Sequence, residues 1–293
     1  MIYRRRTGPL HSARAAAGCA YCLALGIAAL IVSDPVVLGA VVLAVLAAGH
    51  AAGVGREVRR AAAFALPAMV AIALINALVT RNGLTVILRL GDLPLLGHTD
   101  VTLEATAYGA ILGLRCGALI LCGVLYTTAV DPDEVLRLFR RVSYRSALSA
   151  TLATRMVPIL IRDSRRLADA QRCRPGPPPS RLALMRAGTS GMLDRALDVA
   201  AALEVRGYGV ARRPGRGDRN RTHRPRAPLS RHDLAFGASA VAVVVIAALA
   251  HWVPLAPFSA YPSLYAPAGP EALATAAALF VCALAPFLDR RGL

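Results

Sequence analysis

The feature that most limits how this chain can fold is a recurrence of apolar runs close to 20 residues long, separated by arginine-rich stretches. Held as helix, about 20 apolar residues cross the roughly 30 Å hydrocarbon core of a bilayer. A mean hydropathy of +0.52 with only 17% charged residues fits the same class. The expected fold is therefore all-α, a polytopic integral membrane protein with about six transmembrane helices and a helical cytoplasmic domain.

Taken in order, residues 1–14 carry Arg4, Arg5, Arg6 and Arg14 and are expected to stay on the cytoplasmic side. A first span covers 15–32, and the polar break Ser33-Asp34-Pro35 leads to a second apolar run at 36–49. That run is short for a bilayer unless it begins near Asp34 and extends past His50. The N-terminal arginines with the apolar run after them look superficially like a signal peptide. No polar, small-residue cleavage region follows, so these are read as retained spans. Arg56, Glu57, Arg59 and Arg60 are expected as a basic inner turn. The third span, 61–79, holds Pro67 and Asn76, the latter read as interhelical glue rather than a substrate ligand. Residues 80–100 read as an outer loop with a short interfacial helix at 84–90. The fourth span is placed at 105–127, the fifth at 234–250 and the sixth at 272–288, and every inner loop is more basic than every outer one.

Arg115 lies inside the fourth span, where an arginine costs about 2.5–3.5 kcal/mol on insertion scales. Two readings stay open: packing against a partner subunit, or a structural role as a pair with Glu104 or Asp100 or by snorkelling.

Between the fourth and fifth spans lies a basic segment, 131–231, with 22 of the 34 basic residues, 9 of the 17 acidic ones, and +13 of the net charge of +17. Every basic residue is arginine. A pI near 11 would suggest nucleic acid in a soluble protein. Beside membrane spans the same charge sets topology and meets anionic lipid, so membrane lipids and no nucleic acid are expected as partners. Cys19 and Cys22 form a C-x-x-C pattern within a span, without a second pair or nearby histidines, and are read as packing. His223 stands among arginines and prolines in a flexible linker, so neither metal nor cofactor is expected.

Within the segment, Asp131-Pro132-Asp133-Glu134 opens a short helix ending near Val142, with proline and acids suited to a first turn. A longer helix is expected over 146–172, with Leu148, Leu152, Met156, Ile159, Leu160, Asp163, Leu167 and Ala170 at spacings of three and four. The prolines between 175 and 179 stop it. Another helix begins near Arg181 or Gly188 and runs to Arg206, with Gly207 suited to the position just past its end. Each helix thus carries an arginine at its C-terminal tip, before a chain break.

These pieces, in this order, resemble the transmembrane T component of energy-coupling factor (ECF) transporters, the family that includes the cobalt permease CbiQ. The similarity rests on Thr127-Thr128 followed by Asp133-Glu134-Val135-Leu136, on Arg155-Met156-Val157-Pro158-Ile159-Leu160, on Ala170-Gln171-Arg172-Cys173-Arg174, and on Ala202-Leu203-Glu204-Val205-Arg206-Gly207-Tyr208. Two departures stand out: Pro175 separates Arg174 from Gly176, and Val205 replaces an alanine. The resemblance implies a coupling-helix domain whose two arginine motifs enter grooves on a pair of ABC-type ATPases. It also implies a small substrate-binding membrane subunit as partner, import of a vitamin or transition metal, and a bacterial cell membrane location with both termini cytoplasmic. The implied ATPase-coupling residues are Ala170, Gln171, Arg174, Gly176, Glu204, Arg206 and Gly207. Arg115, Arg155 and Pro158 are candidates for packing of coupling helices or subunits.

The expected organisation is an N-terminal transmembrane region at 1–130, the coupling segment at 131–231 and a C-terminal transmembrane region at 232–293. The chain has no lysine and hence no Walker loop, so it is not expected to hydrolyse ATP or act as an enzyme. The rival class is a self-contained secondary transporter or channel, which would place paired ionisable groups or broken helices at mid-membrane. Arg115 is the evident candidate there, and no internal repeat is apparent.

Overall fold

The computed structural model describes residues 8–79, 85–93, 97–142, 144–173, 175, 180–205, 230–252 and 269–288. The described chain is helical apart from one two-stranded hairpin. It divides into two units, Met1–Val135 with Leu229–Leu293, and Leu136–Pro228.

The first unit opens with a single turn, α1 (Pro9–Ser12), followed by α2 (Ala15–Ile31) and α3 (Pro35–Ala51). The expected break at Ser33-Asp34-Pro35 is a corner between two helices. The Asp34 carboxylate accepts from the Val36 and Val37 N–H groups at 2.7 and 3.4 Å, and Pro35 fills the first helical position. α2 and α3 have 17 residues each, about 25 Å. Gly53, at φ 77°, turns the chain beyond α3 in the left-handed region open to glycine. α4 (Gly55–Val79) starts two residues later, so Arg56, Glu57, Arg59 and Arg60 open a helix and are not the expected basic turn. One left-handed residue suffices to reverse the chain, and charged residues in a helix's outermost turns still reach water.

An interfacial helix is expected over 84–90, but residues 86–90 are extended. β1 (Val86–Leu93) pairs antiparallel with β2 (Gly97–Thr102), with Arg89 opposite Asp100 in the register. β-Branched Val86 and Ile87, with Gly91 and Pro94 close behind, favour extended chain over so short a helix. Thr102 then caps α5 (Leu103–Ala129), its hydroxyl accepting from the Ala105 N–H at 3.3 Å. Glu104 accepts from the Thr85 hydroxyl at 2.9 Å and its N–H at 3.3 Å.

Among the described residues, four helices are long and apolar enough to cross a membrane: α4, α5, α9 (Arg231–Trp252) and α10 (Pro270–Leu288). α2 and α3 are shorter apolar helices. α4 packs on a glycine face of α5, where Gly109, Gly113 and Gly117 recur every four residues. A Cβ at Gly113 would lie 2.6 Å from the Met69 carbonyl oxygen, and one at Gly109 would lie 2.7 Å from that of Ala73. Asn76 faces Gly109 across this seam, yet its amide donates back to Ile72 of its own helix at 2.9 Å. It fills space between the helices, and its amide is engaged within its own helix, whose turn offers a carbonyl at i−4.

At the centre of the unit Tyr21, Phe236 and Phe287 form an edge-to-face triangle with centroids 5.2–6.1 Å apart. The buried Tyr21 hydroxyl donates to the Ala283 carbonyl at 2.8 Å. Pro286 removes the N–H that would bond the Cys282 carbonyl, and the Ser239 hydroxyl supplies a donor from α9 at 2.7 Å. Ser239→Ala is expected to lower unfolding free energy in detergent by about 0.5–1.7 kcal/mol, read by thermal melting, with Tyr21→Phe showing a loss of similar size.

Candidate coupling site

The second unit is built on α7 (Tyr144–Arg172) and α8 (Arg181–Val205). α6 (Pro132–Val142) precedes them, with Asp133 and Glu134 in its first turn. α7 runs 29 residues, about 43 Å, with Pro158 inside it.

α7 and α8 are joined by an ion pair in which the Arg195 guanidinium donates to Asp163 Oδ2 at 2.6 Å, both side chains 40% exposed. That hydrogen bond, with further attraction from Arg195, Arg166 and Arg162, holds the Asp163 carboxyl below the usual carboxylate range. Beside the pair lies an open groove of about 660 Å³, lined by Leu160, Ile161, Leu167, Met185, Met192 and the open glycine positions Gly188 and Gly191. It is far larger than one water requires and has room for side chains of a partner. On α8, Met185 is 69% exposed, and Leu182 and Leu193 are also exposed. An apolar groove on an otherwise charged segment is a candidate interaction face. Leu160, Asp163 and Leu167 belong to the stripe read from the sequence.

The described motif residues lie near the C-terminal ends of both helices. Ala170 is exposed and Gln171 half-buried in the last turn of α7, and Cys173 continues the helix by donating to the Asp169 carbonyl at 3.2 Å. Glu204 is exposed in the last turn of α8. Arg174, Gly176, Arg206 and Gly207 lie outside the described residues. Arg155 is exposed on α7, and Pro158 is exposed with its carbonyl accepting from Arg162 Nε at 3.3 Å.

Arg115 stands apart, in the first unit. Its guanidinium donates to the Val32 carbonyl at 2.9 Å and to the Ser33 hydroxyl at 3.4 Å, so it caps the end of α2 and is not paired with Glu104. The α2–α3 corner attracts it because unpaired carbonyls and the negative helix end gather there. No group of three or more metal-ligating side chains occurs among the described residues.

A helical multi-pass membrane protein with a separate, groove-bearing helical pair is the class these features define. The chain matches the family model described as cobalt transport protein (CbiQ) over residues 7–215, which takes in every element from α1 to α8. It belongs to that family, the T components of ECF transporters, and is a transport protein with a coupling and scaffold role, not an enzyme. No curated protein matches the chain.

Proposed function

We propose that this chain is the scaffold through which two ABC-type ATPases drive a small substrate-binding membrane subunit in an ECF-type importer. The observation that supports it most is the α7–α8 pair, whose helices lead into the two arginine motifs and carry an exposed apolar groove between them. In this reading Arg174 and Arg206, with Ala170, Gln171, Gly176, Glu204 and Gly207, engage the ATPases. An arginine on a helix tip offers five donors in a fixed fork to carboxylates or carbonyls of a partner groove. The apolar groove and the membrane helices hold the substrate-binding subunit, and closure of the ATPases on ATP changes the angle between α7 and α8. The chain crosses the bacterial cell membrane six times, α2 and α3 included, with both termini and the coupling unit on the cytoplasmic side.

Purification of the full chain in mild detergent, with identification of what co-purifies, tests this reading. Two ATPase subunits and one small membrane protein are expected. An active transporter recovered with no ATPase, or a reporter at Pro178 found outside the cell, overturns it.

A further inference from the structure

The chain leaves the first unit after Val135 and returns to it at Leu229. Next to each crossing stands a carboxylate, and both carboxylates meet on the same helix end. α2 has no side-chain cap of its own at Arg14, although a helix leaves its first N–H groups unpaired. Glu134, in the first turn of α6, accepts from the Ala15 N–H at 3.1 Å, across 119 residues of sequence. Asp233, in the first turn of α9, accepts from the Arg14 N–H at 2.7 Å, across 219 residues, and its Oδ2 lies 3.3 Å from Arg14 Nε. The Asp233 side chain is only 4% exposed. It is also half of a reciprocal box, accepting from the Ser230 N–H at 3.0 Å while its own N–H donates to the Ser230 hydroxyl at 3.1 Å. Two negative groups at the positive end of one helix are each favourable there.

We infer that Glu134, Asp233 and Arg14 are positioning residues that clasp both connections of the coupling unit to the N-terminus of α2. α2 is then the membrane helix at which movement of that unit enters the bundle, an assignment that rests on the coupling reading above. Two independent local caps would each serve only the segment that carries them. A shared clasp makes the two connections report on one another through the first turn of α2.

The test is amide hydrogen exchange on the purified full chain, comparing Glu134→Gln, Asp233→Asn and Arg14→Ala with wild type. Glu271→Gln, an exposed first-turn carboxylate of α10, serves as control. Asp233→Asn is expected to speed exchange in 131–135, and Glu134→Gln in 230–234, by roughly three- to thirtyfold. Residues 240–247 should keep wild-type rates, and Arg14→Ala, which retains the backbone bond, should act more weakly. Acceleration confined to each variant's own segment overturns the clasp, and so does uniform acceleration through α9, which would mean general loosening. ATPase recovery from the same preparations separates the two claims. Wild type without ATPases but with the cross-effect would remove the coupling reading and leave the clasp. ATPases present without the cross-effect would do the reverse.

Discussion

Arg206→Ala is expected to cut recovery of ATPase subunits with the purified chain by about 30-fold or more, with membrane insertion unchanged. Truncating one partner of a buried, hydrogen-bonded charge pair costs about 2–5 kcal/mol, and each 1.4 kcal/mol is a factor of about ten in affinity. Arg174→Ala should weaken recovery less, because Pro175 stops the helix there and displaces Gly176 from the residue it would follow. Arg172→Ala is the control: it is exposed and stands 3.8 Å from Asp169, a surface pair that contributes little. Co-purification quantified by mass spectrometry reads all three. Equal recovery from wild type and the Arg174/Arg206 double variant would remove the role proposed for these arginines.

Gly113→Leu should be the most damaging single change in the membrane unit. Its Cβ alone would sit 2.6 Å from the Met69 carbonyl oxygen, and backbone cannot swing aside as a side chain can. Overpacking of this kind costs about 1–3 kcal/mol and sometimes more. Away from the seam with α5, Phe64, Leu66, Val70 and Leu74 of α4 are exposed, so little else within the fold holds this helix. The variant is expected to lose its single peak in size-exclusion chromatography and to become sensitive to protease near α4. Gly117→Leu should be milder, because the obstacle there is the flexible Met69 thioether. Gly123→Ala, with open space around it, should behave as wild type. Similar damage at Gly113 and Gly123 would mean that the seam is not what holds α4.

Helices set by local pattern were legible in the sequence. α2, α9 and α10 begin and end within a few residues of where apolar runs meet arginine, proline or aspartate. The end of α7 follows from the prolines after Cys173. The hairpin was not legible, because a seven-residue apolar run fits helix and strand alike until its pairing partner is known. Nor was the start of α4, which depends on a left-handed Gly53. For the candidate site, the stripe of Leu160, Asp163 and Leu167 could be read from spacing, whereas Arg195 as the partner of Asp163 could not. Pairings such as Arg115 with Val32, or Glu134 with Ala15, join positions 83 and 119 residues apart, and periodicity carries no information at that range.

The bond from Arg115 to the corner after α2 ties a charge in the middle of one apolar helix to the end of another. A carbonyl end among apolar helices has no water to turn to, and a lone guanidinium there is equally costly, so each answers the need of the other. Exchange of Arg115 for leucine would strand the Val32 carbonyl instead of relieving the fold of a charge.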